Sequence, residues 1–187
     1  MFKEEKRQSI HILLFLFAFS LKYLNRFQAA LLLCLFIFIA LFLVPRLKIR
    51  SHIYRHFEHR YSPGGISYFL VLFILILFLP FPIVAAAWAI LALGDGMATL
   101  IGKNFKAREL PWNKDKTYAG SLAFIVFGTI GALILLKWML PDLSGMAAFT
   151  IGFKTAFLAA IVESLPLKIN DNVTVAISSA AVLSFLI

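Results

Sequence analysis

The sequence predicts an all-α, polytopic membrane protein with about seven transmembrane helices plus one interfacial amphipathic helix. Of its 187 residues, 61% are hydrophobic and only 14% are charged, and the mean hydropathy is +0.91. Soluble domains contain about a quarter charged residues. The apolar residues also fall into runs close to the ~17–20 residues that a bilayer core requires. We therefore expect residues 1–187 to form a single membrane-embedded domain.

Proline, glycine and asparagine residues separate the apolar runs, and these residue types end helices or favour turns. Helices are predicted over residues 9–24, 28–44, 66–79, 83–101, 119–139, 147–165 and 173–187. Between the second and third of these, residues 46–61 place apolar side chains at every fourth position: Ile49, Ile53, Phe57 and Tyr61. Basic and histidine side chains lie on the other side, so this segment is predicted to lie in the membrane interface.

The basic residues indicate how the helices are oriented. If the N-terminus is cytoplasmic, fourteen of the eighteen lysine and arginine residues fall in cytoplasmic segments. The positive-inside rule therefore predicts a cytoplasmic N-terminus and a C-terminus on the opposite side. These residues also explain the net charge of +9, so we expect anionic lipid, and not nucleic acid, around the basic segments. The sequence does not determine the oligomeric state.

This topology places a set of polar residues at one cytoplasmic level: Arg7, His11, Asp95, Lys116, Glu163 and Asp171. Asp95 lies inside the fourth predicted helix, where a carboxylate costs about 2.5–3.5 kcal/mol on insertion scales unless it is paired or hydrated. Gly94, Gly96 and Ala98 leave space around it for another helix or for a phosphate. Asp95 is therefore either a structural acid at a helix crossing or part of a binding site.

The segment that follows is rich in lysine and leads into the fifth predicted helix. A lysine beside the free N–H groups of a helix N-terminus forms an anion cradle. The residues of the predicted cradle are Lys116, Thr117, Gly120 and Ser121. Lys103, Lys106 and Arg108 are better explained as residues that set the topology.

Two further acids lie at predicted cytoplasmic helix ends. Glu163 is near the end of the sixth helix, and Asp171 with Asn172 opens the seventh, where either residue can also serve as a simple N-cap. Together with Asp95, these acids offer the hard oxygen ligands that Mg²⁺ uses when it also holds substrate phosphates. A basic cradle beside carboxylates indicates nucleotide-phosphate chemistry.

The motifs resemble those of the CTP-dependent lipid-alcohol kinase family, which includes dolichol kinase, phytol kinase and the yeast-type diacylglycerol kinase and is related to phosphatidate cytidylyltransferases. The matching strings are GDGMATLIG at 94–102, KTYAGS at 116–121, ES at 163–164 and DN at 171–172. Arg7 and His11 fit the motif of the family's first helix. Three residues depart from the pattern, since Gln8, Ala119 and Ala176 stand where lysine, glutamate and proline are usual.

The resemblance implies a membrane kinase that transfers the γ-phosphoryl group of CTP, or of another nucleoside triphosphate, to a polyprenol-type or other isoprenoid alcohol. It implies Asp95 and Lys116 as catalytic residues, with Arg7 and His11 near the substrate or its phosphate. The implied Mg²⁺ ligands are Asp95, Glu163 and Asp171. The implied nucleotide contacts are Gly94, Gly96, Ala98, Gly102, Lys103, Lys114, Lys116, Thr117, Gly120, Ser121 and Asn172.

On this interpretation the nucleotide enters from the cytoplasm and the lipid alcohol enters laterally from the bilayer. Which acid accepts the hydroxyl proton stays open. Two alternatives also stay open. One is a CDP-lipid synthase similar to phosphatidate cytidylyltransferase, which would release pyrophosphate. The other is a small membrane transporter, because an acid within a membrane span is also typical of an ion pathway.

Overall fold

The computed structural model describes residues 2–47, 61–105 and 108–187. It confirms the predicted fold class, because most of this described part is helical. The α-helices are α1 (Phe2–Leu13), α2 (Phe15–Ala18), α3 (Arg26–Phe38), α4 (Pro63–Phe78), α5 (Phe81–Ala89), α6 (Gly96–Asn104), α7 (Tyr118–Met139), α8 (Gly145–Ser164) and α9 (Asp171–Leu186). Helical turns of other types extend them: 3₁₀ turns at Phe19–Lys22 and Val44–Arg46, and π-turns at Ile39–Leu43 and Ile90–Asp95.

Apolar helices long enough to cross a bilayer confirm that this is a membrane protein. In the described part of the chain, four continuous helices meet this length: Arg26–Arg46, Phe81–Asn104, Tyr118–Met139 and Gly145–Ser164. Helices α4 and α9 are apolar but shorter. The count of seven spans and the orientation in the membrane stay predictions. Most of the predicted interfacial helix, residues 48–60, lies outside the described residues.

The central helix of the bundle is the continuous segment Phe81–Asn104, formed by α5, the second π-turn and α6. Most side chains from Ile83 to Ala92 are buried, as expected for an apolar helix surrounded by others. Small residues such as Ala86 and Ala89 are fully buried and allow neighbouring helices to approach closely. Helix α7 packs along this segment, while α1, α4 and α9 cover its other sides. Asp95 therefore lies on the helix that the others surround, at the turn between α5 and α6.

The central helix differs from the regular helix predicted over 83–101, because a π-turn occupies Ile90–Asp95. A π-turn shifts backbone hydrogen bonding from i+4 to i+5 and is often found at functional sites. Its Leu91 carbonyl accepts a hydrogen bond from His11 Nε2 at 3.0 Å. A Cβ on Gly96 would lie 2.6 Å from Ile12 Cγ1, so α1 packs directly against the residue that follows the turn. The pattern of apolar residues alone does not reveal this widened turn.

Two further features differ from the prediction. The first helix starts at Phe2 instead of residue 9 and becomes a 3₁₀ turn over Phe19–Lys22, because the Lys, Glu, Arg and Gln residues that precede the apolar run are good helix formers. The lysine-rich loop contains an antiparallel hairpin of β1 (Glu109–Leu110) and β2 (Asn113–Thr117). Leu110 is 3% exposed, and burial of this apolar side chain stabilises the hairpin.

Candidate functional site

Three carboxylates from distant parts of the chain meet at one end of the bundle. Asp95 ends the π-turn, Glu163 is near the end of α8, and Asp171 is the first residue of α9. One carboxylate oxygen of each lies within 4.8 Å of the other two. Asp95 and Glu163 are buried, whereas Asp171 is half-buried. The structure thus brings together the three residues that were predicted to hold Mg²⁺.

The start of α9 shows that Asp171 is not the helix cap. The cap is Asn170, whose side chain accepts a hydrogen bond from the backbone N–H of Asn172 at 3.0 Å. The interpretation of Asp171 and Asn172 as simple N-caps is therefore wrong. Because Asn170 satisfies the first turn of the helix, the Asp171 carboxylate is available to the acidic cluster.

Lys116 joins the acidic cluster from strand β2. Its ammonium donates to Glu163 Oε1 and to Asp171 Oδ2, the latter at 2.7 Å. Burial by itself lowers the pKa of the Lys116 ammonium, but the charges of Glu163, Asp95 and Asp171 together raise this pKa above its usual range. The lysine is therefore charged at neutral pH. With all three acids ionised, the four side chains carry a net charge of −2.

The hairpin holds Lys116 in place through contacts with the end of α8. Trp112 Nε1 donates to Ser164 Oγ at 3.3 Å, and Asn113 Nδ2 donates to the Ser164 carbonyl at 3.1 Å. The first of these links uses an indole N–H on an otherwise exposed tryptophan. Both fix the strand beside Glu163, one residue before Ser164. The sequence analysis identified neither Trp112 nor Asn113 as part of the site.

His11 connects α1 to the π-turn that carries Asp95. In addition to its bond with Leu91, His11 Nε2 lies 3.6 Å from Asp95 Oδ2. The imidazole packs edge-on against the Tyr68 ring at 4.7 Å between centroids, and Tyr68 Oη accepts a hydrogen bond from Trp88 Nε1 at 2.7 Å. Tyr68 and Trp88 were not predicted. Their signal in the sequence was weak, since it consisted only of aromatic residues with a polar atom inside apolar helices.

Two cavities of different character meet at the acidic cluster. The first, of about 530 Å³, lies between α1, the end of α3 with its π-turn and the start of α4, and apolar side chains such as Leu14, Phe36 and Phe69 form much of its wall. We call it the apolar cavity. The second, of about 580 Å³, lies between α6, the hairpin, the start of α7 and the segment after α8. We call it the polar cavity. Arg7, Thr99 and Asp171 line both.

The predicted nucleotide contacts divide into two groups. Those that line the polar cavity are Ala98, Gly102, Lys103, Lys116, Thr117, Gly120 and Ser121. The remaining predicted contacts do not line it: Gly94, Gly96, Lys114 and Asn172. Gly94 packs against Phe124 and Gly96 against Ile12, so these glycines permit close helix packing. Lys114 is exposed, and Asn172 Nδ2 donates to the Gly64 carbonyl at 2.8 Å at the edge of the apolar cavity.

The start of α7 offers fewer free amides than predicted. The Gly120 N–H donates to Thr117 Oγ1 at 3.1 Å, and the Tyr118 N–H donates to the Arg108 carbonyl at 3.1 Å. Gly102 and Gly120 mark the place where α6 crosses α7, because a Cβ on Gly102 would lie 2.9 Å from Thr117 Oγ1. By contrast, the Ser121 hydroxyl is buried and makes no hydrogen bond within the described part of the chain. An anion in this cavity would therefore meet side chains more than backbone amides.

The remaining predicted residues and one unpredicted residue lie where the cavities join. Arg7 lines both cavities, and His11 lines the apolar one. Thr99 also lines both and was not predicted. Its position could have been inferred, because it follows Asp95 by four residues and therefore shares a helix face with it.

Comparisons with known proteins support the resemblance seen in the motifs. The chain is 34% identical over 106 residues to a chloroplastic farnesol kinase of Arabidopsis thaliana. The aligned region covers 53% of this chain and 34% of that kinase. It is 31% identical over 139 residues to a probable chloroplastic phytol kinase of Glycine max, and the aligned region covers 65% of this chain and 43% of that protein. It is 30% identical over 116 residues to chloroplastic phytol kinase 1 of Arabidopsis thaliana, and the aligned region covers 56% of this chain and 37% of that protein.

The chain thus spans less than half the length of these curated relatives. No protein-family model matches the chain, and no solved structure gives a significant match. The similarity nevertheless extends over more than half of the chain in each of the three comparisons. These comparisons confirm that the chain resembles the lipid-alcohol kinase family, represented here by farnesol and phytol kinases.

Proposed function

We propose that this protein is a membrane kinase that transfers the γ-phosphoryl group of a nucleoside triphosphate to the hydroxyl group of an isoprenoid alcohol of the farnesol or phytol type. One observation carries the proposal: an apolar cavity and a polar cavity meet at a cluster of three carboxylates. A reaction between a lipid and a nucleotide requires two such sites, because neither substrate is well solvated in the binding site of the other.

The apolar cavity is the proposed site of the lipid alcohol. Its volume of about 530 Å³ lies within the range of roughly 300–1,000 Å³ typical of small-molecule sites. The cavity lies between α1 and the end of α3, and Ile10 on its wall is 38% exposed. The prenyl chain would enter from the bilayer at this side. Its hydroxyl would then lie at the polar end of the cavity, beside Asp95 and Asp171.

The polar cavity is the proposed site of the nucleotide. Lys103 and Lys116 supply positive charge to its wall, and Ser121 supplies a hydroxyl group that has no other described hydrogen bond. Ammonium groups and hydroxyl groups are typical partners of phosphate oxygens. The choice of CTP as donor rests on the family resemblance alone. Residues 165–167 also line this cavity and would contact the nucleotide.

The acidic cluster fits Mg²⁺. Its oxygens lie within 4.8 Å of one another, carboxylates are the ligands that Mg²⁺ prefers, and Lys116 leaves two of the three negative charges uncompensated. Asp95, Glu163 and Asp171 would hold the ion. When bound, Mg²⁺ supplies positive charge that stabilises the charge on the transferring phosphoryl group.

The cavity walls narrow the choice of proton acceptor. Asp95 and Asp171 line the apolar cavity, whereas Glu163 lines only the polar one. The hydroxyl oxygen forms a bond to the γ-phosphorus while the bond to the leaving nucleoside diphosphate breaks. The hydroxyl proton passes to a carboxylate within reach, which is Asp95 or Asp171. Arg7 lines both cavities and would contact the phosphoryl group during its transfer.

The test is an assay of the purified protein in detergent with CTP or ATP and with farnesol, phytol or diacylglycerol. We expect release of nucleoside diphosphate that depends on a prenyl alcohol, together with a prenyl phosphate detected by mass spectrometry. Release of pyrophosphate would instead support a CDP-lipid synthase. Nucleotide consumption that no alcohol stimulates would refute the kinase.

A further inference from the structure

Lys154 lies on the outer surface of helix α8, away from the acidic cluster. It is the tenth residue of this helix, so at about 1.5 Å per residue its Cα lies roughly 14 Å along the axis from Gly145. The side chain is exposed, as are those of Phe153, Phe157 and Leu158 around it. Lys154 falls within the helix predicted over residues 147–165. The structure puts it on an exposed face of a helix that is long and apolar enough to cross a bilayer.

Lys154 differs from two lysines that lie near the end of the bundle where α8 begins. Lys22 donates to the Trp138 carbonyl at 2.7 Å, and Lys137 donates to the Pro141 and Leu143 carbonyls at 2.7 and 2.6 Å. Lys154 makes no hydrogen bond or ion pair with any residue of 2–47, 61–105 or 108–187. A charged side chain within a membrane span is costly unless it is paired or reaches the interface. An anion from outside the described bundle would supply this pairing.

A groove beside Lys154 has the shape and chemistry for one lipid chain. It has a volume of about 390 Å³ and lies between α8 and α9. Its other lining side chains are apolar: Phe153, Phe157, Leu158, Val182, Phe185 and Leu186. Phe153 and Phe157 are stacked, with ring centroids 6.1 Å apart, and form a flat wall. A lysine at the edge of such a groove matches an amphiphile with an anionic head and an apolar tail.

The direction of the side chain indicates the leaflet. Side chains on an α-helix lean towards its N-terminus, and α8 begins at the end of the bundle opposite Glu163. Lysines in membrane spans extend their ammonium groups towards the nearer interface. We therefore expect the Lys154 ammonium group to extend towards the membrane face opposite the acidic cluster.

We propose that this groove binds one anionic phospholipid from the leaflet opposite the candidate active site, with an acyl chain along Phe153 and Phe157 and the phosphate at Lys154. A second copy of the chain fits the groove less well. A two-fold interface on this face would bring two positively charged Lys154 side chains close together. The residues that line the groove include no acid that could neutralise these charges. A phospholipid supplies both the negative charge and the apolar chain.

Native mass spectrometry of the purified protein, with phosphatidylglycerol and phosphatidylcholine as competing probes, tests the proposal. We expect the wild type to retain one phosphatidylglycerol with at least a tenfold preference over phosphatidylcholine. Lys154→Leu should abolish this preference, and Lys154→Arg should keep it. Lys168→Leu, which removes an exposed lysine from the loop near the acidic cluster, should also keep it.

Several results would overturn the proposal. One is a Lys154→Leu variant that keeps the preference while its melting curve shows that it is folded. Another is an equal loss in Lys168→Leu, which would indicate diffuse attraction to basic residues. A third is a homodimer that cross-links through Leu158→Cys, in a Cys34→Ser background, and excludes lipid from the groove. Because the readout is lipid binding, none of these results depends on whether the protein is a kinase.

Discussion

Replacing Asp95 by asparagine removes one charge from the acidic cluster and keeps the size of the side chain. Two unit charges 4.8 Å apart repel by about 3.5 kcal/mol at an effective dielectric constant of ~20. Asp95 experiences two such repulsions, from Glu163 and Asp171, against the attraction of one lysine, Lys116. Without a divalent cation, the substitution therefore relieves a net repulsion on the order of one such pair, about 3.5 kcal/mol.

The same substitution should strongly impair the reaction. If Asp95 accepts the hydroxyl proton, transfer to farnesol or phytol should fall by about 10²-fold or more. If it also holds Mg²⁺, the stabilisation that added Mg²⁺ gives to the folded protein should shrink, because that stabilisation depends on the affinity for the ion. The Asp95→Asn protein should melt at the same temperature as the wild type or higher when Mg²⁺ is absent.

The assay combines melting curves in detergent, with and without MgCl₂, and prenyl phosphate formation per folded molecule. Asp142→Asn is the matched control, because Asp142 is exposed in the loop between α7 and α8 and should change neither quantity. An Asp95→Asn variant that melts lower than the wild type and retains proportionate activity per folded molecule would show that Asp95 is only a structural partner of His11. The catalytic assignment would then be wrong.

Three further predictions test other parts of the structure. Gly96→Ala should lower the melting temperature, since its Cβ would lie 2.6 Å from Ile12 Cγ1 and such overpacking costs about 1–3 kcal/mol. Gly145→Ala is the control, because a Cβ there would meet nothing within 4 Å. Equal melting temperatures for the two variants would refute the packing argument. Lys116→Ala should weaken nucleotide binding about tenfold or more in a titration, because a charge-assisted contact is lost. Lys114→Ala, which removes an exposed lysine, should change the affinity little. Equal effects of the two variants would mean that the hairpin contributes only diffuse positive charge. A reporter fused after Ile187 should be non-cytoplasmic and one inserted near Asn104 cytoplasmic, and the same location for both would contradict the predicted topology.

The site residues show which kinds of inference succeed without coordinates. Asp95, Glu163 and Asp171 could be selected because a carboxylate inside or at the end of an apolar helix is costly and therefore needs a partner. The structure brings the three together. The glycines of the same motif were harder to interpret. Gly94 and Gly96 suit a close approach by phosphate as well as by a helix, and the structure shows helix packing at both.

The lysines show a similar limit. Lys103, Lys114 and Lys116 are equivalent in a sequence, since each is a cation in a short basic segment. The hairpin gives them different positions: Lys116 lies against Glu163 and Asp171, Lys103 lines the polar cavity, and Lys114 is exposed. A two-residue strand paired with a five-residue strand gives too short a pattern to predict, because so few residues show no clear alternation of apolar and polar side chains.

The sequence by itself determined the class of protein and the position of most helices, because the length of an apolar run and the residues that end it act locally, whatever the rest of the chain does. Only the tertiary structure decided what the polar residues do together. His11 contacts the Leu91 carbonyl 80 residues away, and Lys116 contacts Asp171 across 55 residues. Such contacts depend on how the helices pack around Phe81–Asn104 and on the π-turn that places Asp95. Helix packing depends on the fit of many side chains at once, so neither the junction of the two cavities nor the surface position of Lys154 follows from the order of residues.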